Sequence, residues 1–253
     1  MPMEECMLTQ EEKERYSRHL RLSEIGEQGQ LLLRSSRVLV VGAGGLGSPV
    51  LQYLAAAGVG TLGIVDGDRV DVSNLQRQTI HATEAIGQAK SASASRFVLR
   101  LNPHVQVREY PFFLTPENVE SVFADYDIIV DCTDNFAARY LVNDTCVQMD
   151  KPFVHGSISH FQGHLFTHLP GTACYRCLFP EAPQQTDGPV AGPLGVLPGV
   201  IGVLQATEVV KYITHIGKLL TNDLLLFDAL DLSFHHLCVM PSEACAACSS
   251  KRP

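Results

Sequence analysis

Cys174-Tyr175-Arg176-Cys177 and Cys245-Ala246-Ala247-Cys248 form two C-x-x-C pairs. Each pair places two thiolates within reach of one ion, and four thiolates satisfy tetrahedral Zn²⁺. Sixty-seven residues separate the pairs, far more than in a zinc ribbon, so such a metal would clip a C-terminal tail back onto the body. Redox dithiols are the competing reading. It is the weaker one, because neither pair follows a strand and opens a helix.

A second constellation is Gly42-Ala43-Gly44-Gly45-Leu46-Gly47, which fits G-x-G-x-x-G. The β-branched run Val38 to Val41 precedes it. Ser48 to Ala57 follows with helical spacing, and the apolar run Thr61 to Val65 ends in Asp66. Strand, glycine turn, helix, strand and acid occur in the order that dinucleotide binding requires. Gly42 permits the tight turn, Gly44 lets the backbone approach a phosphate, and Gly47 lets the helix lie close on the strand. The helix N-terminus offers N–H groups and a positive dipole end to an anion. Asp66 stands where an acid takes ribose hydroxyls.

The stretch from Gly67 to Gln78 is polar and should lie over the carboxyl ends of the strands, where open α/β sheets bind ligands. Asn74 and Arg77 are thereby placed to reach a nucleotide. Lys90 falls in the first turn of a helix expected over Gly87 to Leu101, against the helix dipole, which suggests a nearby anion. Asp134 follows a buried strand, Asp127 to Asp131. One carboxylate beside a triphosphate is a reasonable Mg²⁺ ligand; a helix N-cap is the plainer role, which Asp134 or Asn135 could serve.

The elements that must position these groups follow from the pattern. Thr9 and Glu12 form a capping box, and a helix is expected from Gln10 to Arg21 with Arg15, Arg18 and Arg21 on neighbouring turns, ordinarily a solvated face. Further strands are expected at Val105 to Tyr110, Phe153 to Ser159, Gly163 to His168, Leu224 to Asp228 and Phe234 to Val239. Helices are expected from Thr115 to Phe123, Asn135 to Met149 and Val200 to Thr214. His160, His164 and His168 recur every four residues, but the segment reads as strand, so they are taken as structural. Glu181 to Gly199 is rich in Pro and Gly, and a loop of that length is usually functional.

The 253 residues, 45% hydrophobic, carry a net charge of −8, a poor match to nucleic acid or an anionic membrane. Val38 to Val65 has no charged residue, enough to cross a bilayer. Its seven glycines and Pro49 favour buried parallel strands instead. The acidic N-terminus is no signal peptide, and the expected setting is the cytoplasm. There eight cysteines suggest metal ligands before disulfides. The expected fold is α/β: a Rossmann-like, mostly parallel sheet flanked by helices, with a C-terminal antiparallel extension and the zinc clip. It is read as one domain over 1–253, divided into a helical segment (1–35), a nucleotide-binding half (36–150) and a second half (151–253).

GAGGLGS, the VDxDxVxxSNLxRQ stretch from Val65 to Gln78, CTDN, CYRC and CAAC together resemble the ThiF/MoeB/HesA group, bacterial relatives of ubiquitin-activating enzymes. The likeness runs from RYSRHL at Arg15 to Cys248. It implies adenylation of the C-terminal glycine of a ubiquitin-like sulfur carrier ending in Gly-Gly, with ATP, Mg²⁺ and Zn²⁺. It further implies that Gly42, Gly44, Gly45, Gly47 and Asp66 hold the nucleotide, Asn74, Arg77 and Lys90 the phosphates, and Asp134 the Mg²⁺. Cys174, Cys177, Cys245 and Cys248 would bind structural zinc, and Arg18 would reach the site of the other subunit in a homodimer. Arg18, Arg77, Lys90 and Asp134 would thus carry catalysis.

The Pro/Gly loop would line the carrier's groove and make this the carrier-binding half. Many relatives have a cysteine there, but Thr186 to Gly192 has none. Adenylation without a covalent enzyme–carrier link is therefore expected, with sulfur from a separate donor such as a cysteine desulfurase or rhodanese. Two other readings share the glycine loop: an NAD(P)-dependent oxidoreductase, which leaves Asn74, Arg77, Lys90 and Asp134 unexplained, and a non-catalytic nucleotide-binding scaffold.

Overall fold

The computed structural model describes residues 7–182 and 192–249. Its centre is a sheet of eight strands in the order β3-β2-β1-β4-β5-β6-β7-β8. β1 (Arg37–Val41), β2 (Thr61–Val65), β3 (Gln106–Tyr110), β4 (Ile128–Asp131) and β5 (Phe153–Ser159) pair in parallel. β6 (Gln162–His168), β7 (Asp223–Asp228) and β8 (Ser233–Cys238) extend it antiparallel.

Side-chain alternation along β1 divides the core in two. Val38 and Val40 face one cluster, into which α3 (Gly26–Ser35), α4 (Gly47–Ala57), α5 (Lys90–Leu101) and α9 (Leu197–Thr214) send Leu33, Leu51, Val98 and Ile201. Leu39 and Val41 face the other, built with α6 (Val119–Phe123), α7 (Phe136–Gln148) and α8 (Tyr175–Leu178). A strand with both faces covered has no polar side to show, which explains the uncharged run. Val38 to Val65 folds as strand, glycine loop, helix and strand, and among the described residues no helix is long and apolar enough to cross a membrane.

Four expected elements differ. The helix expected from Val200 begins at Leu197, so the last three residues of the Pro/Gly stretch Glu181 to Gly199 are helical. The Gln10–Arg21 helix breaks into α1 (Gln10–Arg15) and α2 (Ser17–Leu20). Its capping box forms, with Thr9 N–H donating to Glu12 Oε2 at 2.7 Å. The break falls at Tyr16, whose ring is buried over Gly58 and whose hydroxyl accepts from Asn102 Nδ2 at 2.8 Å. The helix expected from Thr115 begins at Val119, because Asn118 Oδ1 accepts from Thr115 N–H and holds 115–118 as a turn. α5 begins at Lys90 rather than Gly87. Gly87 is left-handed (φ 83°) and its N–H is spent on Val70 O.

Counting outward from β1, the chain runs to β2 and β3 on one side and to β4 and β5 on the other. The order reverses between β1 and β4. The loops leaving their carboxyl ends, 42–46 and 132–135, flank the crevice where such sheets take ligands.

Candidate active site

Gly42 sits at φ 98°, and a methyl on it would lie 2.7 Å from the carbonyl oxygen of Cys132. A side chain there would force β1 and β4 apart. At Gly47 a methyl would collide with the Gly42 carbonyl, so helix and strand approach only as glycine allows. No side chain caps the N-terminus of α4; Ser48 N–H turns back to Gly44 O at 3.0 Å and Pro49 has none, so this end offers the crevice its positive dipole more than a row of free donors.

Asp66, 8% exposed, braces this loop. Its Oδ2 accepts from Ala43 N–H at 2.8 Å and its Oδ1 from Asp68 N–H at 2.8 Å. Each carboxylate oxygen has a second lone pair for a ligand hydroxyl.

The polar stretch after β2 folds over the carboxyl edge. Residues 72–74 make a short turn, and Asn74 O accepts from the N–H groups of Arg77 and Gln78 at 3.0 and 2.9 Å. The Arg77 stem passes Gly45, and its Nη1 donates to Ser73 O at 3.1 Å. Lys90 is buried as the first residue of α5, its ammonium 3.0 Å from Asp68 Oδ2. The anion that its position calls for is therefore Asp68, an exposed carboxylate at the same edge.

Two residues here were not assigned a role from the sequence. His81 is buried with Nε2 2.9 Å from Ala43 O and Nδ1 2.9 Å from Ser93 Oγ, so it ties the glycine loop to α5. Burial lowers its pKa and keeps it neutral. Gln78 lies against Gly44, and its buried Oε1 has no partner among the described residues. Its place directly after Arg77 was the available signal; His81 gives none, being one histidine in an unpatterned stretch.

Asp134 stands exposed beyond the end of β4. The cap of α7 is Asn135, whose Oδ1 accepts from Ala138 N–H at 2.9 Å, so Asp134 is released from that duty. Behind it, Asp131 Oδ2 accepts from His155 Nδ1 at 2.7 Å, and His155 Nε2 lies 3.3 Å from His164 Nε2. Burial outweighs the carboxylate and lowers His155, and drives His164 to about 3. Both rings are neutral, and the contact is a hydrogen bond rather than an ion pair.

Gln205 of α9 donates to Asp131 O at 2.8 Å and locks that helix beneath the strand ends. Cys132 and Cys146 are fully buried, and burial holds both thiols well above their ordinary range. The loop expected at Thr186 to Gly192 lies, apart from Gly192, outside the described residues.

Arg18 is not part of this assembly. It is exposed on α2, and α2 begins beside Tyr16 at the far end of α4 from the glycine loop. Eleven helical residues separate them, about 16 Å.

The four cysteines do come together. Their sulfurs all lie within 4.8 Å of one another, with Cys174–Cys245 at 3.6 Å and Cys177–Cys248 at 3.4 Å. Sulfurs on a tetrahedral zinc lie about 3.8 Å apart, so this donor set fits such an ion. Burial raises Cys174, and burial with Cys177 pushes Cys248 up to about 11. Burial also disfavours the Cys245 thiolate, but the N–H groups of Cys248 and Ala247 prevail and lower it. A divalent cation would stabilise all four as thiolates. The cluster is anchored to α7: Tyr175 N–H donates to Asn143 Oδ1 at 2.7 Å, and Arg176 makes two 2.7 Å bonds to Asp144.

A family model described as the ThiF family matches residues 16–249. The chain is 48% identical over 238 residues to a SAMP-activating enzyme E1 of Haloferax volcanii, covering 93% of this chain and 88% of that protein. It is 47% identical over 252 residues to a sulfur carrier protein adenylyltransferase of Thermus thermophilus, covering 96% and 93%. Among solved structures, MccB of E. coli with ATP superposes with a TM-score of 0.82 at 24% identity, covering 93% of this chain and 74% of that one. At that identity the likeness speaks for the fold.

Proposed function

The chain belongs to the ThiF family, and from that premise we propose that it is an ATP-dependent adenylyltransferase activating the C-terminal glycine of a ubiquitin-like sulfur carrier. The observation that carries the reading is near full-length identity of 47% to the Thermus thermophilus protein of that activity. The crevice between β1 and β4 is where the chemistry would occur.

In this reading the glycine loop and the α4 N-terminus cradle the nucleotide phosphates. Asp66 takes the ribose, while Asn74, Arg77 and Lys90 hold the phosphates. An oxygen of the carrier's terminal carboxylate attacks the α-phosphorus. A new P–O bond forms, the α–β bridge breaks, and pyrophosphate leaves with the electron pair. No general base is required, because the carboxylate is already ionised at neutral pH. Charge grows on the non-bridging and leaving oxygens, where Arg77 and Lys90 would meet it. Asp134 would hold Mg²⁺, which adds positive charge at the phosphates when bound. The cysteine cluster is structural and would hold Zn²⁺.

We further propose that two copies form a homodimer, with Arg18 serving the other subunit's site. Residues 36–150 handle the nucleotide, and 151–253 the carrier and the metal clip. The absence of a thiol over Thr186 to Gly192 favours adenylation alone, with sulfur from a separate donor in the cytoplasm.

The test is ATP–pyrophosphate exchange with Mg²⁺ and a panel of carriers ending in Gly-Gly, repeated with Asp134→Ala. Exchange with one carrier, lost in the variant, is expected. ATP binding without exchange for any carrier would return the chain to a scaffold. Binding of NAD(P) instead of ATP would favour the oxidoreductase.

A further inference from the structure

Arg139 is 8% exposed, one turn into α7, and its Nε has no partner among the described residues. Its Nη2 reaches Thr133 O at a long 3.4 Å, and its Cζ lies 5.2 Å from the centre of the Phe136 ring. No described acid forms an ion pair with it. Asp131, the buried carboxylate nearby, is held by other groups: Oδ1 accepts from the N–H and hydroxyl of Thr133, and Oδ2 pairs with His155. A guanidinium taken out of water without an anion is strongly unfavourable.

The hydroxyl of Tyr175 is a second orphan. That residue is 1% exposed, and its oxygen has no partner among the described residues. Burial raises its pKa while the adjacent Arg139 charge opposes the rise. Its ring packs 4.7 Å from that of His155 on β5. The Tyr175 hydroxyl and the Arg139 guanidinium thus face each other, each short of a full set of partners among the described residues, beside the Thr133–Asp134 turn and the N-terminus of a 13-residue helix.

We propose that Arg139 and Tyr175 form a carboxylate site for the carrier's terminal glycine, one N–H and one O–H meeting its two oxygens. This rests on the adenylation reading and adds residues to it. The phosphate groups already have the glycine loop, Arg77 and Lys90 on the β1–β2 side. Arg139 and Tyr175 lie across β4, toward β5, on the other side from those phosphate groups. Two donors side by side, one of them charged, suit the two oxygens of a carboxylate. The site also gives the cysteine cluster a link to the chemistry, since Tyr175 directly follows Cys174.

Tyr175→Phe is the test, because the hydroxyl has no partner besides Arg139 among the described residues and its loss should leave folding intact. With the carrier that supports pyrophosphate exchange, its KM for carrier should rise about tenfold, as for loss of a bond to a charged group. The KM for ATP should not move. In a binding titration the native chain should prefer the carrier over the same carrier ending in an amide, and the variant should lose that preference. Arg139→Lys, which keeps the charge but moves the donor, should fall between. An unchanged carrier KM and unchanged preference would overturn the site, as would a rise in the KM for ATP instead, which would make the occupant a nucleotide phosphate. A native chain that exchanges with no carrier would overturn the activity itself, an outcome visible before any variant is made.

Discussion

The carboxylate of Asp66, at the end of β2, accepts the backbone N–H of Ala43 at 2.8 Å, across the edge of the sheet. One acid therefore shapes the glycine loop and, in the proposed reading, also takes the ribose. Asp134 has the opposite character: it is exposed, and among the described residues its side chain bonds to its neighbour Asn135 alone. Asp66→Ala should lower stability by about 2 kcal/mol, because it strands a buried N–H, and should abolish exchange as well. Asp66→Asn, whose amide oxygen still accepts from Ala43, should recover most of the stability. Asp134→Ala should abolish exchange with an unchanged Tm. Thermal melts beside exchange assays separate the two acids.

Four histidines in the interior set an acid limit. Burial lowers His81, His155, His164 and His168 from 6.5, His164 to about 3. Below pH 6.5 the unfolded chain gains protons on these rings while the folded chain does not. Their stabilising contribution is thus full above 6.5 and is lost as pH falls. Each neutral ring makes stability drop by about 1.4 kcal/mol per pH unit within that window. Denaturant melts between pH 7.5 and 5 should show this slope. His164→Gln should reduce it by about one proton's worth; a slope unchanged in that variant would contradict the neutral assignment.

The sulfur cluster predicts one tightly held metal ion per chain, released by a strong chelator. Cys245→Ser should lose it. α8 is tied to α7 through Asn143 and Asp144, so release should loosen both the residues after β8 and α8. Hydrogen exchange should rise over 174–178 and 239–249 and stay low in β1 and β4. A rise confined to the tail would show that α8 is held without metal.

Much of this was readable from residue order because the signals are local. A strand, glycine loop, helix and second strand each declare themselves within a dozen residues, and Gly42 and Gly47 are demanded by backbone contacts that no other residue permits. The two C-x-x-C pairs announce their own convergence. Tyr16 was not readable as a helix break, because what stops the helix is a partner 86 residues away, Asn102. Nor was His81, whose two bonds join a loop and a helix distant in sequence. Arg139 looked like any helical arginine until its burial and the prior engagement of Asp131 were visible.

Arg18 carries the last prediction. It is exposed, and within one chain the length of α4 keeps it from the glycine loop. If it serves the neighbouring subunit in a homodimer, Arg18→Ala and Asp134→Ala should each be inactive alone. In a mixed dimer, one site combines an intact Asp134 with an intact Arg18 from its partner, and the other site lacks both. Unfolding and refolding the two variants together in equal amounts should pair them at random. Half of the dimers are then mixed and one site in each is whole, so exchange should return to about a quarter of the native rate. No recovery, with dimers present by sedimentation, would mean that Arg18 does not act across the interface and belongs to the solvated face that its spacing first suggested.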